Sequence, residues 1–205
     1  MAERREVARR VAVALTTDPR VPAYRRVLYA LCLLAGVRSS EACALRWRHW
    51  EANVEPLGRL LVAGSWSSQR KAVKSTKTGS VRAVPVHPRL ASILAEWKAQ
   101  NPDAGPDDPV VRPPEGHVVN ENTNRKRLHA DLATLGLRQR SVHDMRATHM
   151  TLLEDADANE RVWKRWTHGD PRDVVGGYLR TQWAVKCREM LKLGLPETAK
   201  SATPV

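Results

Sequence analysis

Hydrophobic positions recur with the spacing of an α-helix in several separate segments of this chain. Residues 21–35 are apolar round most of a helical circumference, which predicts a central core helix. Gly36 follows directly and is predicted to end that helix. Before it, residues 3–16 form a basic and mildly amphipathic pattern that predicts a first surface helix.

A short helix is predicted after Gly36, with Ser39 as its cap. This places Arg38 at a tight junction between two helices, beside Glu41 and near a positive helix end. Helical patterns return later in the chain, over residues 89–100, 122–135 and 182–192. A loop rich in Pro, Gly and Asp separates the first two of these segments.

The pattern between Arg59 and Arg89 changes to short β-rich runs. Thr78-Gly79-Ser80 is a turn signal between the second and third run, which predicts a hairpin with Lys77 at its tip. The fold class expected is therefore mainly α with a small three-stranded antiparallel β-sheet (α+β). Residues 59–89 hold seven Lys or Arg residues and no Asp or Glu. Such a basic hairpin could contact a nucleic-acid backbone, and it is equally typical of a solvated edge hairpin.

The net charge and its distribution along the chain indicate the kind of partner that the protein binds. The 205 residues carry a formal net charge of +12, and 42% of them are hydrophobic, as in a globular protein. Residues 1–100 hold 18 basic and 7 acidic side chains, whereas residues 101–205 hold 16 and 15. Such asymmetry indicates a face directed at a polyanion, most commonly nucleic acid.

The cysteines and the hydropathy of the chain limit the cellular compartments in which the protein is expected. Cys32, Cys43 and Cys187 are odd in number and widely spaced, and the first two lie in apolar helical patterns. They are interpreted as core residues in a reduced compartment, with neither a disulfide framework nor a thiolate metal site. No apolar run has the length of a membrane span and no signal peptide is evident, so a cytoplasmic protein without membrane contact is expected.

Candidate chemistry concentrates between Ser141 and Tyr178. Ser141 is predicted to cap a helix whose three-residue spacing puts His143 and Arg146 on one face, a proton carrier beside a fixed cation. His168 precedes a Gly-Asp-Pro break and Tyr178 follows a Gly-Gly pair, where the backbone can bend toward that face. Each of these groups suits reaction at a phosphodiester, although a lone His-x-x-Arg is more often a solvated helix face.

Four segments, in order, resemble the boxes of the tyrosine recombinases, the phage-integrase family. They are A-G-V-R-S-S-E-A-C-A-L-R-W, S-T-K-T-G-S-V-R-A-V-P-V, H-D-M-R-A-T-H, and T-H-G followed by G-Y-L-R, and they cover most of residues 25–180. The resemblance implies the catalytic-domain fold of that family. It also implies a catalytic set consisting of Arg38, Lys77, His143, Arg146, His168 and Tyr178.

The sequence departs from the family pattern at two points. Nine residues lie between His168 and Tyr178, where the commonest form has eight. The longer spacing between Arg38 and the hairpin leaves Lys74 as a competitor of Lys77. The other two tyrosines, Tyr24 and Tyr29, precede the first arginine box in the predicted core helix and do not fit the pattern of a nucleophile.

The resemblance implies metal-independent cleavage and rejoining of DNA strands through a 3′-phosphotyrosine, supporting site-specific integration or excision. Arg38 and Arg146 would clamp the phosphate, His143 would act as base toward Tyr178, and the hairpin lysine would protonate the leaving 5′ oxygen. His168 would bind a nonbridging oxygen. Neither a metal nor a nucleotide cofactor is implied.

The same resemblance implies a bacterial or phage-encoded protein that acts on double-stranded DNA. Residues 1–193 are expected to be the catalytic domain without the N-terminal core-binding domain, and residues 194–205 a C-terminal tail. A homotetramer on DNA is expected for the full-length protein, and a monomer with weak, salt-dependent and largely sequence-independent binding for this domain alone.

Three other functions are compatible with parts of the pattern. A type IB topoisomerase would use nearly the same residues to relax DNA. A metal-dependent hydrolase would use His143, His149 and His168 as ligands, but the sequence around them lacks a close carboxylate-histidine pair. His149 also takes a position that is aromatic in the resembled family, which favours a packing role for it. An inert DNA-binding domain is disfavoured by the complete Arg, Lys, His, Arg, His, Tyr set.

Overall fold

The computed structural model describes residues 2–70, 72–75, 81–114, 121–169 and 182–195. The helices in these ranges are α1 (Ala2–Thr17), α2 (Ala23–Leu34), α3 (Ser39–Ala44), α4 (Pro88–Ala99), α5 (Glu121–Thr134), α6 (Val142–Glu154), α7 (Glu160–Thr167) and α8 (Trp183–Leu191). The strands are β1 (Trp50–Glu51), β2 (Arg59–Val62), β3 (Gly64–Ser67), β4 (Ala72–Ser75) and β5 (Arg82–Pro85). The mainly helical α+β prediction is confirmed.

Helix α2 lies at the centre of the core, as its apolar circumference predicts. Its residues from Val27 to Leu34 are all buried, and α1, α4 and α6 pack around it. Burial of aliphatic and aromatic side chains at about 25 cal/mol per Å² makes this the main source of stability. Tyr24 and Tyr29 are both buried on α2, in agreement with their exclusion as nucleophiles.

The strands form two sheets where the sequence predicts one. The three-stranded antiparallel sheet has the order β1-β2-β5, with Leu60 opposite Trp50 on one side and Val84 on the other. Strands β3 and β4 form a separate antiparallel pair that packs against α3 through β3. The predicted first run is thus divided between the two sheets at Ala63.

The predicted pairing of the second and third runs is wrong. Strand β4 pairs with β3, and β5 pairs with β2, so the two strands flanking the predicted turn belong to different sheets. The turn itself, at 78–80, lies outside the described residues. A sequence pattern reports strand character and local turns, but it does not report which long-range partner a strand takes.

Of the two predicted helix caps, the structure confirms Ser141 and contradicts Ser39. Ser141 caps α6 as predicted: its Oγ accepts the amide of Asp144 at 3.2 Å, and the Asp144 carboxylate accepts the amide of Ser141 at 2.8 Å. Ser39, however, is the first residue of α3 and not its cap. The amide of Arg38 donates to Glu41 Oε2 at 2.7 Å instead, because the carboxylate lies one turn into the helix.

The three cysteines are free and buried, which agrees with their interpretation as core residues. Among the described residues, no helix is both long and apolar enough to span a membrane.

Candidate active site

The carboxylate of Glu41 lies at the centre of a cluster of arginines. Arg82 donates to both of its oxygens, at 2.9 and 2.6 Å, and Arg38 Nη1 donates to Oε1 at 3.0 Å. The Glu41 side chain is only 6% exposed, whereas that of Arg38 is 50% exposed. Burial alone raises the pKa of Glu41, but hydrogen bonds and charges from Arg82 and Arg38 outweigh it and lower the pKa below its usual value.

Arg146 enters the same cluster from α6. Its Nη1 donates to the carbonyl of Gly36 at 2.8 Å and lies 3.9 Å from Glu41 Oε2, and its Nη2 donates to the carbonyl of Thr167. The side chain is 3% exposed. Burial, with the positive charge of Arg38, lowers the pKa of Arg146 to about 10, so its guanidinium keeps its proton at neutral pH.

Gly36 is required by the close packing beside this arginine. Its φ is +65°, and a Cβ there would lie 2.4 Å from Cδ2 of His149. Only glycine satisfies both the left-handed backbone and the space available. The residue that ends α2 thereby also presents its carbonyl to Arg146.

His168 follows α7 at its C-cap and is exposed. Its Nδ1 lies 2.9 Å from Thr167 Oγ1. Partial burial lowers the pKa of His168, and the positive charges of Arg146 and Arg38 lower it further. The uncharged form of the imidazole is therefore favoured at neutral pH. His168 directly follows Thr167, whose carbonyl Arg146 binds.

His143 lies in the first turn of α6 and is exposed, while Arg146 in the next turn is buried. The structure thus directs Arg146 toward the Gly36 and Thr167 carbonyls, and leaves His143 at the protein surface. The role of His143 as the base stays a prediction. Lys77 and Tyr178 lie outside the described residues. Lys74, the competitor of Lys77, is exposed on β4.

Arg82 is a member of the cluster that the sequence did not predict. It is the first residue of β5, and the apolar residues that follow it give no local signal of a role, while its partner Glu41 lies on a different element. Glu41 itself had one usable signal, since it is the only acidic residue in the apolar segment E-A-C-A-L. A buried acid in such a segment requires a cationic partner.

His149 is a packed core histidine, as expected. It is fully buried, its Nδ1 lies 3.1 Å from the carbonyl of Leu33, and its Nε2 accepts from Trp166 Nε1 at 3.3 Å. Both ring nitrogens are engaged by protein atoms, so neither offers a free lone pair to a metal. No group of three or more potential metal-binding side chains occurs within the described ranges. Because His149 is one of the three ligands of the hydrolase alternative and both its ring nitrogens are engaged, that ligand set loses a member.

Stability is expected to fall as the pH drops below about 6. Burial lowers the pKa of His149 to about 3 and that of His87 to about 4, below the ordinary value for an unfolded chain. Below about pH 6.5 the unfolded chain binds protons that the folded chain does not, so each such histidine removes up to about 1.4 kcal/mol per pH unit. Denaturant unfolding from pH 7 to pH 4 measures this slope.

The matched control exchanges an exposed histidine. His149→Gln should make the slope shallower, whereas His129→Gln on the surface of α5 should leave it unchanged. Equal slopes in all three proteins would contradict the assignment of the pH dependence to His149.

The fold of this chain is similar to the folds of several solved proteins. No protein-family model matches the sequence, and no curated protein matches it. An integrase from mycobacterium phage Brujita aligns with 94% of this chain and 58% of its own, at 16% identity and a TM-score of 0.63. The Tn1549 transposon integrase, solved with transposon right end DNA, aligns over 88% and 62%, at 14% identity and a TM-score of 0.66.

The XerH site-specific recombinase bound to its difH substrate gives a similar result. It aligns with 81% of this chain and 45% of its own, at 19% identity and a TM-score of 0.58. In all three comparisons the chain spans less than two thirds of the solved protein. The arrangement of helices and small antiparallel sheets described above is therefore the catalytic-domain fold of the tyrosine recombinases.

Proposed function

We propose that this protein cleaves and rejoins DNA strands in site-specific recombination, through a covalent 3′-phosphotyrosine intermediate. The observation that carries the proposal is the meeting of Arg38 and Arg146 at Glu41, with His168 directly after the Thr167 carbonyl that Arg146 binds. These residues come from three separate parts of the chain. Each was expected from the sequence to act at one phosphate.

The two arginines supply the electrostatic part of the mechanism. Strand cleavage develops charge on the nonbridging oxygens of the phosphate, and guanidiniums that stay protonated are suited to binding it. Glu41 and the helix-end carbonyls hold these cations in place before DNA arrives. Such preorganisation favours the transition state because little rearrangement is needed during reaction.

The covalent step is assigned to Tyr178, His143 and Lys77. The phenolic oxygen of Tyr178 forms a bond to phosphorus as the bond to the 5′ oxygen breaks. Its proton passes to His143, and the leaving 5′ oxygen takes a proton from Lys77. His168 binds a nonbridging oxygen. The reverse steps rejoin a strand, so the scheme uses neither a metal nor a nucleotide cofactor.

Double-stranded DNA is the proposed partner. The positive charge concentrated in residues 1–100 and the DNA complexes of two structural neighbours, XerH and the Tn1549 integrase, support it. We propose residues 1–193 as the catalytic domain and 194–205 as a tail. Complete strand exchange by a homotetramer, in a bacterial or phage-infected cytoplasm, belongs to the same proposal.

A nicked suicide duplex tests the proposed function. The short strand released on cleavage diffuses away, so the phosphotyrosine cannot be resealed. We expect a covalent protein–DNA species on a denaturing gel, formed in the presence of EDTA. DNA binding without any adduct would favour the inert domain, and cleavage that needs added divalent metal would favour a hydrolase.

The hairpin lysine can be identified by changing the leaving group. Lys77→Ala should slow cleavage of an ordinary duplex, and a duplex whose 5′ leaving atom is sulfur should restore the rate, because a thiolate leaves without protonation. Lys74→Ala is the matched control and should need no such rescue. Rescue confined to Lys74→Ala would transfer the role of general acid to that residue.

A further inference from the structure

Arg82 binds two other elements of the structure at once. It is the first residue of β5, and its side chain is 13% exposed. Nη1 and Nη2 donate to the two oxygens of Glu41 at 2.9 and 2.6 Å, and Nε donates to the carbonyl of Trp166 at 2.8 Å. All three guanidinium nitrogens are thus engaged by α3 and α7.

The bond to Trp166 lies in the last turn of α7, where helix carbonyls lack partners within the helix. The last four carbonyls of a helix have no partner within it and need one elsewhere. Arg82 binds the carbonyl of Trp166 and Arg146 binds that of Thr167, so two guanidiniums cap neighbouring carbonyls in the last turn. His168 is the next residue. The direction in which its imidazole leaves the helix is therefore set by these two bonds.

The bonds from Arg82 to Glu41 affect the positions of Arg38 and Arg146. Arg82 supplies two charge-assisted hydrogen bonds to a buried carboxylate that also accepts from Arg38 and lies 3.9 Å from Arg146. Without Arg82, this carboxylate would lose its closest cation while remaining buried. It would then draw Arg38 and Arg146 toward itself and away from a bound phosphate.

We propose that Arg82 is a positioning residue for DNA cleavage, which holds Glu41 between Arg38 and Arg146 and fixes the end of α7 that carries His168. This inference rests on the proposed function. Arg82 acts through its neighbours, because its nitrogens are used by Glu41 and Trp166. Its loss should therefore reduce the rate of cleavage much more than the affinity for DNA.

Arg25 provides a matched control in the same fold. Its side chain is 19% exposed, and it forms an ion pair of 2.9 Å with the buried carboxylate of Asp131, between α2 and α5. Both arginines are thus largely buried partners of a buried acid. Arg25→Ala should destabilise the fold to a similar degree without changing the geometry of the cluster.

The test measures single-turnover cleavage of the suicide duplex and DNA affinity with the full chain. Arg82→Ala should lower the cleavage rate at saturating DNA by about tenfold to about 100-fold, the effect of a small misplacement of reacting groups. The Kd for DNA should change by less than about threefold, because exposed basic side chains supply most of the affinity. Arg82→Lys should recover only part of the rate, since one ammonium cannot span Glu41 and Trp166 together.

Amide hydrogen exchange provides the second measurement. In Arg82→Ala, the amides of Thr167 and His168 should exchange faster than in wild type, whereas Arg25→Ala should leave them protected. Wild-type cleavage by Arg82→Ala, or a loss of rate matched by Arg25→Ala at equal stability, would overturn the inference. A wild-type chain that forms no adduct counts against the proposed function, and exchange at α7 then still decides whether Arg82 holds His168.

Discussion

Tyr178→Phe should abolish the covalent protein–DNA adduct completely. The substitution removes only the phenolic oxygen, which is the atom proposed to form the bond to phosphorus. An ordinary phenol has a pKa near 10 and attacks poorly at neutral pH, so the fixed charges of Arg38 and Arg146 are needed to favour its anion. Incubation with the suicide duplex in EDTA, followed by a denaturing gel, measures the result.

Tyr24→Phe is the matched control for this substitution. Tyr24 is buried on α2, where its ring faces the guanidiniums of Arg25 and Arg127. Removing its hydroxyl should leave the adduct at the wild-type level. An adduct that persists in Tyr178→Phe would exclude this tyrosine as the nucleophile, and peptide mapping of the linked DNA would then identify the residue that replaces it.

Arg146→Ala should lower the cleavage rate by at least about 10²-fold to 10³-fold, the scale observed when one transition-state donor is removed. Arg146 is the buried member of the proposed clamp, held by the carbonyls of Gly36 and Thr167. In the proposed mechanism its charge binds the phosphate, and a surface lysine could not replace it. Rates at saturating suicide duplex measure the effect.

The same substitution also removes two structural hydrogen bonds, so stability must be measured beside activity. Arg146→Lys keeps the positive charge but cannot reach both carbonyls, and it should remain strongly impaired. DNA affinity should fall only slightly in either variant. A cleavage rate within about threefold of wild type in folded Arg146→Ala would contradict the clamp assignment, given the scale expected for such a donor.

Local signals in the sequence were sufficient for most of the helices. The apolar residues of α2 predict its burial, and α1, α3, α4 and α6 pack against it. Ser141 predicts the start of α6 because capping depends on residues only three positions apart. His149 was assigned to packing because its position is aromatic in the resembled family, and the structure places its ring against Gly36 and Trp166.

The sequence did not predict which distant segments pair with each other. The single predicted sheet became two, because β2 takes β1 and β5 as partners while β3 takes β4. The propensity for a strand is a local property, but the choice of partner depends on which faces the surrounding helices cover. The start of α3 was misplaced by one residue, because Arg38 takes the N-cap position and its amide donates to the Glu41 carboxylate.

The sequence by itself determined the helical core, the class of fold and the residue types suited to a phosphate, because periodicity, capping and charge are written into neighbouring positions. Only the tertiary structure decided that Glu41, which the sequence places beside Arg38, also joins Arg82 and Arg146, and that these last two arginines hold the end of α7. A buried carboxylate must be paired, but its partners can come from any part of the chain that the fold brings near. The physical reason is that ion pairing and the capping of helix ends depend on distance in space, which the spacing of residues along the chain does not encode.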